Sequence, residues 1–164
     1  MQGIDRRTWL RGLGLPLASL GLASCGFALR SSQKFPFKSM YTGPIAASPL
    51  LIELSRQVAG TGGVEVIIDQ RQVERADVIF ELLQEQREKV VAGRTSSGSV
   101  REFLLRTNLR FRLRTREGKE LIPETLLVAT TDISYNETLA LSKDQEEQML
   151  YSNMGKDLVG QIVR

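Results

Sequence analysis

The chain has 164 residues, 22 lysines and arginines, 19 aspartates and glutamates, one cysteine and no histidine. Lack of histidine and a single cysteine exclude imidazole and thiolate metal sites, histidine-dependent triads and any disulfide within one chain. The length allows one modest domain with a single core, and no spacing of carboxylates, or of serine and lysine, favours an active site; no catalytic residue, cofactor or metal is expected.

Arg6, Arg7 and Arg11 precede an apolar run, Leu13 to Ala23, and Leu22-Ala23-Ser24 leads into Cys25. A basic start, an apolar stretch and small residues in that order read as an export signal. Gly14, Pro16 and Gly21 interrupt the run, which is well short of the ~20 apolar residues a bilayer span needs. Leu22-Ala23-Ser24-Cys25 resembles the lipobox of bacterial lipoproteins. That resemblance implies removal of residues 1–24, acylation of Cys25, a tether over 25–33 and a single domain over 34–164. Gly26, in place of an aspartate, implies an outer-membrane address. Asp5-Arg6-Arg7-Thr8-Trp9-Leu10 is similar to a twin-arginine export motif, and an ordinary basic leader is the plainer reading; both routes stay open. Without residues 1–24, which hold Arg6, Arg7, Arg11 and Asp5, 19 cations face 18 anions, so the formal net charge falls from +3 to +1. The basic pI belongs to the leader and indicates no nucleic-acid partner.

Phe35 to Tyr41 reads as a first strand. Ser48-Pro49 looks like an N-cap followed by proline at the first helical position. Leu51, Leu54 and Val58 share one helical face, and Gly60 ends the run. Val64 to Ile68 is a short β-branched strand after Gly62-Gly63. Ala76 to Ala92 carries two signals, helix-favouring Glu, Gln, Leu and Lys against alternation at Val78, Phe80 and Leu82. Strand is preferred because the next segment makes so clear an antiparallel partner.

That next segment alternates from Phe103 to Arg116. Phe103, Leu105, Leu109, Phe111 and Leu113 point one way; Arg106, Asn108, Arg110, Arg112, Arg114 and Arg116 point the other, which is a half-buried strand. Glu117-Gly118 fits a two-residue hairpin turn. Pairing Arg116 with Lys119 sets Leu113 opposite Ile122, Leu109 opposite Leu126 and Thr107 opposite Val128. Tyr135 to Ala140 reads as a loop. Ser142 with Gln145 reads as a capping box, with Asp144, Glu146 and Glu147 suited to the positive end of the dipole. Leu150, Met154, Leu158 and Ile162 then mark an amphipathic helix. The expected fold is α+β, a small, mostly antiparallel sheet with two helices packed on one face.

Cys25-Gly26-Phe27-Ala28-Leu29-Arg30 resembles the mature start of the LptE family, and Leu139-Ala140-Leu141-Ser142-Lys143-Asp144-Gln145-Glu146-Glu147-Gln148-Met149 is similar to that family's entry into its last helix. Leu158 to Arg164 looks like its end. Ala28 departs from the first block, where relatives often carry histidine. The resemblance implies a non-enzymatic lipoprotein of the inner leaflet of the outer membrane, facing the periplasm and the barrel lumen. It would plug and help fold the β-barrel LptD, and assist insertion of lipopolysaccharide into the outer leaflet, with lipopolysaccharide as a ligand.

Lipid A carries phosphates on an apolar body, and guanidinium forks suit phosphate. Arg106, Arg110, Arg112 and Arg114 are therefore candidate lipopolysaccharide ligands. By the resemblance, Lys143 matches a basic position of the last-helix motif, and Arg94, in the hairpin loop, corresponds more loosely to a second. A solvated sheet face, or one meeting acidic groups in the barrel, fits the arginine row equally well. The alternative function is a lipid-anchored adaptor or pilot for a different secretion barrel, without lipid cargo.

Overall fold

Alternation along the arginine-rich segment builds the centre of the fold. This strand, β4 (Val100–Thr115), buries Leu105, Leu109, Phe111 and Leu113 and turns its arginines to the opposite face. The structure, a computed structural model, describes residues 34–44, 48–136 and 140–164; the leader, Cys25 and the tether lie outside the described residues. Around β4 the chain runs β1 (Ser39–Tyr41), α1 (Pro49–Ala59), β2 (Glu65–Ile67), a short 3-10 helix (Gln70–Arg75), β3 (Val78–Arg94), β4, β5 (Glu120–Ser134) and α2 (Ala140–Ile162). The sheet order is β2-β1-β3-β4-β5. β1 is parallel to both neighbours, and β3, β4 and β5 are antiparallel. Parallel β1 and β2 need a crossover, which α1 supplies. The expected α+β architecture holds, with both helices on one face of the sheet.

α1 begins as its sequence dictates. The Leu50 amide donates to Ser48 Oγ at 3.0 Å, Pro49 occupies the first turn, and Leu50, Leu51, Leu54 and Val58 are buried. Gly60 does not supply a left-handed stop: its φ is −63°, and the positive φ comes two residues later at Gly62. β1 is shorter than Phe35 to Tyr41, because Phe35 and Phe37 stack on each other and pack against the core.

The ambiguous stretch is strand. β3 carries a register shift between Leu82 and Gln84. Val78, Phe80 and Leu82 face the helices before it; Glu85, Arg87 and Lys89 do so after it, opposite Leu109, Thr107 and Leu105. One extra residue in a strand flips everything beyond it. The flipped charges are met from the helices: Ser48 Oγ donates to Glu85, Lys89 Nζ reaches Glu147 at 2.6 Å, and Arg87 lies over the Tyr151 ring at 5.4 Å. The core is thereby divided. The larger cluster joins both helices to Phe80, Leu109, Phe111 and Leu113. The smaller holds Leu105, Ile133, Tyr151 and Met154.

The β4–β5 hairpin corrects the expected turn and register. The Gly118 amide donates to the Thr115 carbonyl, and the Thr115 amide to that of Lys119 at 2.8 Å. Arg116, Glu117 and Gly118 therefore form a three-residue loop, closed by Gly118 at φ 93°, a conformation glycine adopts without strain. Leu113 faces Ile122 as expected, but Leu109 faces Leu127 and Thr107 faces Ala129. β5 holds one more residue than β4 between Ile122 and Thr125. Pro123 lies in that bulge; it has no N–H to donate and is tolerated only at an edge or a bulge. The slip puts Leu126 and Val128 on the arginine face, at 53% and 48% exposure.

α2 begins at Ala140, so Ser142 lies inside the helix and the capping box is not formed. Ala140 and Leu141 favour helix and extend it upstream. Asp144, Glu146 and Glu147 then fall beyond the first turn, where the dipole argument no longer carries. The amphipathic reading of the rest holds: Tyr151, Met154, Leu158 and Val159 are buried.

Candidate functional site

The register of β3 against β4 gives the arginine row its own carboxylates. Arg112 sits opposite Glu81, and Arg106 opposite Glu88. Glu81 accepts from Arg112 Nε and, at 2.8 Å, from Arg114 Nε. Glu88 lies 3.6 Å from Arg106 and accepts from Asn108 Nδ2 at 3.0 Å. From β5, Glu124 meets Arg110 at 2.8 Å. The four predicted arginines thus share one face, each paired within the sheet. A phosphate arriving there competes with a carboxylate already in place, so the row is a balanced polar wall rather than an open anion site.

Burial pushes the Glu81 carboxyl up, but hydrogen bonds from Arg112 and Arg114 outweigh it and hold the group below its ordinary value. A depressed folded-state pKa contributes stability above the unfolded value and loses it as pH falls through the folded one. Glu81→Gln should therefore lower stability near neutral pH and reduce the loss on acidification below about pH 5. Urea unfolding across a pH series checks this; identical acid slopes in the two proteins would contradict it.

The other predicted residues lie elsewhere. Arg94 is the last residue of β3, not a loop residue, and its Nη1 donates to the Gly98 carbonyl across the hairpin at 3.0 Å. Lys143 Nζ donates to Ser134 Oγ at 3.1 Å and to Glu146 at 2.7 Å, tying the start of α2 to the end of β5. Arg116 lies in the turn and donates to the Glu74 carbonyl. Cys25 is outside the described residues.

Two concavities were not legible beforehand. A cleft of about 370 Å³ lies between α1, β3 and α2, with Glu53, Arg56, Glu85 and Arg87 among its lining residues. Its floor includes Thr107, whose buried hydroxyl has no partner among the described residues. The second is apolar, about 330 Å³, under Phe35 and Phe37. Phe35-Pro36-Phe37 was a signal for it, but residues so distant in sequence as Phe37, Phe111 and Ile162 converge only in the fold. Among the described residues no helix is long and apolar enough to cross a membrane, and no acidic cluster is placed to hold a metal ion.

The family model of LptE, described as lipopolysaccharide-assembly, matches residues 34–164. No curated protein matches the chain. Among solved structures it is similar to uncharacterized lipoprotein B from Nitrosomonas europaea, at 30% identity over 85% of this chain and 88% of that one, with a TM-score of 0.70. A minor lipoprotein from Acinetobacter baumannii shares the fold at 21% identity, covering 80% of this chain and 91% of its own, TM-score 0.62. So does rare lipoprotein B from Shewanella oneidensis, at 16% identity, 77% and 90% coverage and the same TM-score, 0.62.

Proposed function

The chain belongs to the LptE family of lipopolysaccharide-assembly lipoproteins, and from that premise we propose that it is acylated at Cys25, sits in the inner leaflet of the outer membrane, and plugs and helps assemble an LptD-like β-barrel. In this role it assists passage of lipopolysaccharide to the outer leaflet by binding and positioning, without chemistry of its own.

The observation that carries this reading is the outer face of β4 and β5. Leu126 and Val128 stand exposed beside Arg110 and Asn108, and the arginines around them are already matched by carboxylates. Bringing unpaired charge against a protein wall is costly. A balanced face with arginines and exposed aliphatic groups is what an interface core accepts, and barrel lumens are polar. The row therefore suits the barrel wall better than lipid phosphate.

Leu126→Glu with Val128→Glu tests this. Both side chains are half exposed, so the domain should fold with a change of well under ~1 kcal/mol, while the amount of barrel that co-purifies falls by about tenfold or more. Unchanged recovery of the barrel would remove this face from the interface. Lipid A phosphates remain the second reading for Arg110, Arg112 and Lys143, favoured by the partial exposure of Arg110. Reversing those charges separates the two: loss of lipopolysaccharide binding in vitro with the barrel retained would favour the lipid.

A further inference from the structure

β5 is the last strand of the sheet, paired on one side only among the described residues. The Tyr135 amide donates to the Arg101 carbonyl. Bonded and non-bonded pairs alternate along an antiparallel ladder, so Thr131, Ala129 and Leu127 exchange hydrogen bonds with β4. Leu126, Val128, Thr130 and Asp132 turn amide and carbonyl the other way, where they have no partner among the described residues. Natural edges are blunted by charge, proline or bulges. Here Pro123 and its bulge guard one end, while Thr125 to Thr131 carries no charge, glycine or proline. Such a run is a template for another strand.

The surroundings specify that strand. A groove of about 250 Å³ lies between β5 and α2, lined by Ala129, Thr131, Leu150, Met154 and Asp157 among others. Leu127, Ala129 and Thr131 are only half-buried, although they face the helices. An added strand sends alternate side chains into such a groove. β5 holds Glu120, Glu124 and Asp132 and no lysine or arginine, and Asp157 is the charged group of the groove. A second copy would therefore bring acid to acid: antiparallel pairing about Val128 sets Glu124 opposite Asp132, and like charges so placed are destabilising. A different chain with basic side chains complements the edge. Leu126 and Val128, which offer open backbone groups here, are also the exposed side chains of the face assigned to the barrel wall.

We propose that the outer edge of β5 takes an extended segment of the barrel's own polypeptide as an added strand, with apolar side chains in the groove on Leu150 and Met154 and basic ones beside Asp132 and Asp157. The inference rests on the barrel reading and states how the two chains are joined: by a shared backbone ladder as well as by side chains.

The test is amide hydrogen exchange, resolved by residue, on the full-length lipoprotein alone and in its co-purified complex with the barrel, in the same detergent. The amides of Leu126, Val128, Thr130 and Asp132 should exchange fast in the first and slowly in the second, with those of Leu127 and Ala129 slow in both. Thr130→Pro removes a donor that only an added strand uses, at an edge where proline is tolerated. It should unfold at the wild-type urea concentration, while barrel recovery falls about tenfold; Thr130→Val, which keeps the amide, should retain the barrel. Asp132→Lys with Asp157→Lys should also lower recovery. Fast exchange at the four amides in a complex that still forms would overturn the proposal and leave the barrel reading intact. Slow exchange in the lipoprotein alone would overturn it too, in favour of a second copy if it depends on protein concentration and of the chain's own residues if it does not. Unchanged recovery of the double lysine variant would overturn the basic segment. Failure of the wild-type chain to recover any barrel would sink both readings.

Discussion

Leu158→Ala should destabilise the domain by about 3–5 kcal/mol. Leu158 is 0% exposed and belongs to the cluster that joins α2 to α1, Phe80 and Leu109. Truncation loses the transfer energy of the removed carbons and leaves a void that helices and sheet, held by many other contacts, close only in part. Domains of this size are stable by only about 5–15 kcal/mol in total, so most of the margin goes. Leu141→Ala is the matched control: Leu141 is 78% exposed, and the expected change is under ~0.5 kcal/mol. Urea unfolding of the two variants decides it. A cost for Leu158→Ala below about 1 kcal/mol would mean that α2 does not pack on the sheet as described.

Cys25→Ala should abolish membrane attachment and leave residues 1–24 uncleaved. Each buried methylene of an acyl chain contributes roughly 0.8 kcal/mol, and two chains already give stable anchoring. Intact-mass measurement reports the retained leader, and density-gradient fractionation reports the lost attachment. Wild-type levels of the variant in the outer-membrane fraction would show that the chain is held there by something other than a lipid on Cys25.

Strong local periodicity was legible, and interruptions of it were not. The arginine alternation identified β4 and, through it, settled the ambiguous β3 as its antiparallel partner. The Ser48-Pro49 start of α1 was legible for the same reason: cap and first-turn proline act within a few residues. Pro123 lies within the β5 segment, yet its bulge moves Leu126 and Val128 to the outer face, and only the paired strand reveals on which side the extra residue is absorbed. The shift at Leu83 has no local mark at all, although it turns Glu85, Arg87 and Lys89 toward the helices. The capping box failed because Ala140 and Leu141 extend α2 upstream. The candidate site divided along the same line. That four arginines share a face followed from period two, whereas their neutralisation by Glu81, Glu88 and Glu124 depends on cross-strand register. The apolar cavity depends on tertiary closure between Phe35-Pro36-Phe37 and the end of α2.

These differences bear on function, since a row of open guanidinium groups and a row of paired ones invite different partners. The paired row, with Leu126 and Val128 beside it, supports contact with a protein wall. The most direct measurement of the central claim is a tagged pull-down of the full-length lipoprotein from detergent-solubilised outer membranes, with mass spectrometry of what stays bound. The account predicts a large LptD-like barrel in near-equal amount. A different secretion barrel in its place, which is the result expected of a pilot or adaptor, or no barrel at all, would contradict it.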